Sequence, residues 1–192
     1  VDPKVVVEWT RDGKATITSP AHALKAVIAI RVKDGKCSSA SQTLAKGASC
    51  TLTPAAGEPA LANLLVKAGL YAKEAETVAE IWRDEFYKID GARVLATLPR
   101  YVYNALFPIE IKPAPKELTR VLIAHIECLD PDTQVQVDAW IEKLGSESLE
   151  ERDAAAKSLK KLGPLAESRI RAAAQKATDN ETKSRLLELL KP

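Results

Sequence analysis

Up to about residue 56, apolar positions alternate with polar ones in short runs, the period of a strand; beyond Pro54 they recur mainly at three and four, the period of a helix face. Val5–Thr10 and Lys14–Ser19 are β-prone runs joined across Asp12-Gly13, and Val27–Lys33 runs into Asp34-Gly35, a dipeptide suited to tight hairpins. In that second hairpin Ile28, Ile30 and Val32 predict an apolar face, and Ala29, Arg31 and Lys33 a wet one. A further strand is predicted at Ala48–Thr53. Four or five strands make half a sandwich, so the sheet must be covered by the helices that follow, by preceding sequence or by another chain.

Pro54, Gly57 and Pro59 mark a boundary. Leu61, Leu64, Leu65 and Ala68 then form a helical stripe closed by Gly69, and Ala75, Val78, Ala79, Trp82 and Phe86 share one face of a helix over 72–88. Arg93–Leu98 reads as a strand, Pro99–Phe107 as a short helix, and Ile109–Lys112 with Leu118–Leu129 as two strands across Pro113-Ala-Pro115. After Asp130-Pro131, a capping residue followed by proline, four short helices are predicted. Val135, Ala139, Trp140 and Leu144 line the first. Ser148 with Glu151 and Thr178 with Glu181 are capping-box pairs that open the second and the fourth.

Ser148–Leu162 and Asp179–Leu190 align at an offset of about 31 residues, within the range of helical repeats, with Ala155 over Leu186 and Leu159 over Leu190. The run from Leu144 through Ala156, followed by Leu159, Leu162-Gly163-Pro164-Leu165 and Arg169–Ala173, resembles a HEAT-like repeat of the kind appended to many bacterial extracytoplasmic proteins. That resemblance implies stacked helical hairpins and an interaction role, with no catalytic residues to carry over. The stretch 44–52 resembles an edge motif of bacterial immunoglobulin-like β-sandwich modules, with Lys46 where those carry proline. Gly69-Leu-Tyr with Glu74, Ile81–Asp84, Gly91–Leu95 and Leu98–Arg100 are similar to a module of uncharacterised bacterial secreted proteins. About two helix pairs fall short of a free-standing solenoid, so the helical tail is expected to dock on the middle unit or on a partner.

Composition narrows the class of function. In 192 residues, 46% apolar, there is enough material for a real core, and the net charge of +2 supplies no field that would draw in nucleic acid. Basic residues in the first 57 positions read as a solvated, aggregation-resistant edge, and Lys160-Lys161 with Arg169 and Arg171 as groups that solvate the helical tail and complement helix ends. No apolar run approaches the roughly 18 residues that a membrane span needs. The chain has no methionine and begins at Val1, which is the expectation for a chain whose leader has been removed or for a piece of a longer protein. Of its three cysteines, Cys37 and Cys50 flank a Ser/Thr-rich stretch; a Cys37–Cys50 disulfide and three free thiols are both open readings, the bridge favouring a periplasmic or secreted location.

No constellation points to catalysis, a cofactor or a metal. His125 and Cys128, three apart on a strand, point to opposite faces, so the imidazole cannot activate the thiol. Asp84 and Glu85 diverge around a helix and do not form an acid/base pair; their expected role is an ion pair with Arg83, Arg93 or Arg100 that fixes the helix against the next strand. The cysteines and histidines lack metal-ligand spacing. Trp82, Phe86, Tyr87, Tyr101, Tyr103 and Phe107 form the densest aromatic group, expected mainly as core, with Trp82, Arg93, Arg100, Tyr101 and Tyr103 as a candidate docking surface.

The expected architecture is α+β: a β-rich segment over 1–56, a mixed unit over 57–129 and a HEAT-like helical tail over 130–192. The expected role is a non-catalytic protein-binding or scaffold subunit of a bacterial extracytoplasmic assembly. The alternative is a ligand-binding or hydrolytic domain with its site between the middle unit and the tail, using Trp82, Arg93, Arg100 and Tyr103.

Overall fold

The structure, a computed structural model, describes residues 4–191. It is an α+β chain of two compact units, Val1–Cys128 and Leu129–Pro192. The boundary expected near residue 56 does not divide the fold, because strands from either side of it are neighbours in one sheet.

In the first unit, β1 (Val6–Trp9), β2 (Ala15–Ser19) and β5 (Ala48–Leu52) form an antiparallel sheet in the order β1-β2-β5. A second antiparallel sheet runs β6-β4-β3-β7-β8, built from β3 (Leu24–Lys33), β4 (Lys36–Leu44), β6 (Ala55–Ala56), β7 (Gly91–Leu98) and β8 (Leu122–Cys128). The β3–β4 hairpin turns through Asp34 and Gly35, both at positive φ (51° and 68°), the two-residue turn whose twist matches the flanking strands.

The five-stranded sheet is covered on both faces. Toward the three-stranded sheet it buries Val27, Ala29, Val94 and Ala96 against Trp9, Ala15, Ile17 and Leu52. On its other face Ile28, Ile30, Val32 and Leu95 pack under α1 (Leu61–Ala68), α2 (Ala72–Ile81) and α3 (Arg83–Tyr87), through Leu61, Leu65, Ala75, Phe86 and Tyr87. The wet face expected at Ala29 is therefore core. Arg31 and Lys33 lie at the sheet's end, where polarity persists, whereas Ala29 is small enough to admit the facing sheet. The outer side of the small sheet is where water remains: Thr16 meets Thr51, and Thr18 donates to Ser49, across the β2–β5 register.

Three further expectations are corrected. The helix over 72–88 breaks at Trp82 into α2 and α3. Ile109–Lys112 forms no strand; after α4 (Arg100–Leu106) the chain is irregular up to β8. Cys37 and Cys50 are not bridged: all three cysteines are free. Cys37 packs on the helix-covered side of the large sheet and Cys50 in the core between the sheets, so the sheet backbone stands between the two thiols.

In the second unit, α5 (Pro131–Lys143), α6 (Leu149–Leu162), α7 (Pro164–Lys176) and α8 (Asn180–Leu189) pack around Val137, Leu144, Ala155, Leu159, Ala166, Ile170, Ala174 and Leu186. The buried face of α5 is Pro131, Gln134 and Val137, not Val135 and Ala139, which are exposed. An ion pair decides this rotation. Arg169 on α7 forks to the Asp138 carboxylate (2.6 Å) and the Gln134 amide oxygen (2.5 Å), and the Gln134 amide donates to the Leu129 carbonyl. A polar residue thus holds a core position that its type does not advertise. Arg169, expected to be solvated, is this tie between helices.

The caps also differ in detail. Ser148 accepts from the Glu151 N–H, but the Glu151 carboxylate turns to the Ser146 hydroxyl, and the hydrogen bond from Ser146, with Lys143 nearby, holds it below the usual carboxylate range. The fourth helix is capped by Asp179, not Thr178. Among the described residues no helix is long and apolar enough to cross a membrane.

Candidate functional site

The five residues of the expected docking surface do not form one surface. Arg93 is 1% exposed and structural. Its guanidinium donates to the carbonyls of Glu85 (3.0 Å), Phe86 (2.7 Å) and Ile89 (2.9 Å), and its Nε donates to Glu127 (3.1 Å). The expectation that an arginine fixes the helix to the next strand holds in outcome, but the acceptors are main-chain carbonyls in and after α3, groups no further helical turn can satisfy, and the Glu127 carboxylate, instead of the carboxylates of Asp84 or Glu85. Asp84 pairs with Lys88 and Arg83 with Glu58. Gly91 makes room for this fork: it sits at φ +141°, and a Cβ there would lie 3.3 Å from the Arg93 guanidinium.

Tyr103 is buried, its hydroxyl donating to the Arg120 carbonyl, while Tyr101 points outward and bonds His22 Nδ1 (3.0 Å). Trp82, 48% exposed, is stacked on buried Phe86 with ring centroids 5.6 Å apart, and Phe86 meets His125 edge-on at 5.1 Å. The result is an aromatic ledge from the α2–α3 joint to β8.

This ledge flanks an open edge. β8 pairs with β7 alone, and its other side makes no backbone hydrogen bond among the described residues. β7 is buried along nearly its whole length, whereas β8 is half-buried or exposed at every position. His125 and Glu127 lie on the ledge side of β8, bonded to one another at 2.7 Å, and Glu127 is anchored in turn by Arg93. Two charged or polar groups on one side are the blunting that natural edges use, but the strand is seven residues long and carries no proline.

Cys128 faces the opposite side of β8, in the core between the sheets, as the alternation of the strand requires. Burial raises its pKa from 9.0 to about 11, so the thiol is protonated at neutral pH, the unreactive state of a buried cysteine. Burial likewise raises Cys37, Cys50 and Tyr87; the Tyr87 hydroxyl is buried without a hydrogen-bond partner among the described residues. A folded pKa above the unfolded one means the native chain holds its proton more tightly. The associated stability is complete below pH 9 and is lost as pH rises through about 11. The urea midpoint is expected to fall across that window, and Cys128→Ala to make the fall shallower. An unchanged slope in Cys128→Ala would contradict the burial of this thiol.

A concavity of the first unit, about 230 Å³, lies where β3 begins, β7 ends and the chain enters β8. Arg100 and Tyr103 line it, joined by Lys25, Thr119 and Arg120. Lys25 and Arg120 carry no signal in the sequence, because the three cations come from segments far apart in the chain. In the second unit a groove of about 240 Å³ is lined by Leu149, Ala156 and Leu189 with Arg152, Asp153 and Lys160. No group of three or more potential metal ligands occurs among the described residues.

The fold and the ledge thus define an α+β chain with a β/β/α-layered unit, an open strand edge and a separate helical unit. No protein-family model, curated protein or solved structure matches it.

Proposed function

We propose that this chain is a non-catalytic protein-binding module that takes an extended segment of a partner protein along the outer edge of β8. The observation that carries the proposal is the unpaired β8 edge beside half-exposed Trp82. An added strand would satisfy the free backbone groups of β8, and the indole offers a large, rigid contact of the kind that anchors interfaces. The helical unit, read as HEAT-like from its sequence, supplies a further contact surface through its α6–α8 groove. Its assignment to a bacterial extracytoplasmic assembly rests on the sequence resemblance alone, since the free thiols add nothing to it.

Peptide display on the purified chain, followed by amide hydrogen exchange, tests this reading. Selected peptides are expected to be β-prone, to slow exchange of β8 amides, and to bind Trp82→Ala at least tenfold more weakly. Binding that leaves β8 unprotected, or that is indifferent to Trp82→Ala, would count against it. Of the alternative, a ligand-binding or hydrolytic domain with its site between the middle unit and the tail, the cationic cleft favours ligand binding alone and at another place, since its lining includes Arg100 and Tyr103 but neither Trp82, Arg93 nor any residue of the tail.

A further inference from the structure

We infer that the cleft at the β3/β7 end of the first unit binds a small organic phosphate, its phosphate monoester group seated among Lys25, Arg100 and Arg120.

Arg83, Arg93, Arg169, Arg171 and Arg185 each have a carboxylate partner. The cleft is different: three cations line it and no carboxylate does. The side chains of Lys25 and Arg100 form no ion pair or hydrogen bond among the described residues. No carboxylate of the lining offsets these three charges, and a bound anion would do so.

Arg120 is also held in place. Its guanidinium lies 5.3 Å from the centroid of the Tyr103 ring, and its two terminal nitrogens donate to the Asn104 side-chain oxygen (3.2 Å) and the Phe107 carbonyl (2.8 Å). The Tyr103 hydroxyl pins the Arg120 carbonyl. All of these acceptors are neutral, so the side chain is fixed while its full charge remains available. A fixed guanidinium loses less conformational freedom on binding a phosphate than a free one. Lys25 and Arg100 are exposed and can close on the ligand.

The class of ligand follows from charge and volume. A carboxylate would neutralise one cation of three, whereas a phosphate monoester carries nearly two negative charges at neutral pH. Thr119 lines the cleft, its methyl group lying beside Gly69 at the end of α1. At about 230 Å³ the space is smaller than the roughly 300–1,000 Å³ pockets that enclose drug-sized ligands. It therefore suits a phosphate with a short organic part, for which Leu98, Pro99 and Val121 provide an apolar wall. This inference stands apart from the β8-edge reading and uses none of its residues.

Phenyl phosphate, titrated into the full chain and followed by amide chemical shifts, tests it. Saturable shifts are expected at the amides of Gly69, Thr97, Leu98, Arg100 and 119–121, with benzoate binding at least tenfold more weakly. Arg100→Gln, an exposed change, and Arg120→Gln are each expected to weaken phenyl phosphate at least tenfold, whereas Lys183→Gln in the helical unit leaves it unchanged. Linear, unsaturated shifts spread over many lysines would overturn the inference. So would saturable binding that Arg100→Gln and Lys25→Gln leave intact, or binding to phosphatidic-acid vesicles without binding of phenyl phosphate.

Discussion

Arg93→Met is expected to destabilise the first unit by about 3–5 kcal/mol, lowering its Tm by roughly 10–20 °C. The guanidinium is 1% exposed and makes four hydrogen bonds at once, three to main-chain carbonyls and one to Glu127. Methionine fills much of the volume but donates nothing, so the carbonyls of Glu85, Phe86 and Ile89 lose a charged donor in a place water reaches poorly. Unsatisfied buried groups cost more than the bonds they replace contribute. Arg93→Lys should recover only part of the loss, because an ammonium on a flexible stem cannot reproduce a planar fork that serves three carbonyls and a carboxylate. Urea denaturation of both variants, read through the exchange of β7 amides, measures the effect. A loss below about 1 kcal/mol would mean that the carbonyls around α3 find other donors, and the role assigned to Arg93 would fall.

The second large effect is expected in the helical unit. Leu159 is 1% exposed at the centre of its core, and Leu159→Ala removes a side chain from among α5, α6, α7 and α8 at a cost of about 2–5 kcal/mol. A unit of this size has a total stability of only roughly 3–10 kcal/mol, by the usual allowance per residue. The variant should therefore lose much of the exchange protection of α5–α8 at moderate temperature while the β3 and β7 amides stay protected. Loss of protection in both units together would show a single cooperative block, contrary to two separate cores.

Several elements are legible in the sequence because their causes are local. Asp34-Gly35 specifies its hairpin through the positive φ that both turn residues adopt. Asp130-Pro131 starts α5, Gly163-Pro164 divides α6 from α7, and the three- and four-residue spacing of Ala155, Leu159 and Leu162 gives the inner face of α6. The opposite orientations of His125 and Cys128 follow from strand period alone. The elements that were misread depend on partners distant in the chain. Ala29 is core because another sheet covers it, and α5 turns Gln134 inward because Arg169 on α7 meets it.

The candidate sites divide in the same way. Trp82 can be recognised as a large aromatic at a helix joint, but its place beside an open edge depends on β8 being the last strand of the sheet. Arg93 looks like a surface anchor in the sequence and is the largest fully buried side chain among the described residues. Lys25, Arg100 and Arg120 are ordinary cations until β3, β7 and the entry to β8 bring them to one cleft.

The sequence by itself determined much of the local geometry of this protein: strand and helix periods, the Asp34-Gly35 turn, the caps at Asp130 and Ser148, the α+β class and the break near residue 129. Those rest on backbone sterics and side-chain spacing within a few residues. Only the tertiary structure decided that residues 1–128 form one unit, which face of each strand meets water, that the thiols stay apart, and which charges remain uncompensated. Each of these is fixed by burial and pairing between segments remote in sequence, and no local pattern encodes the identity of a distant neighbour.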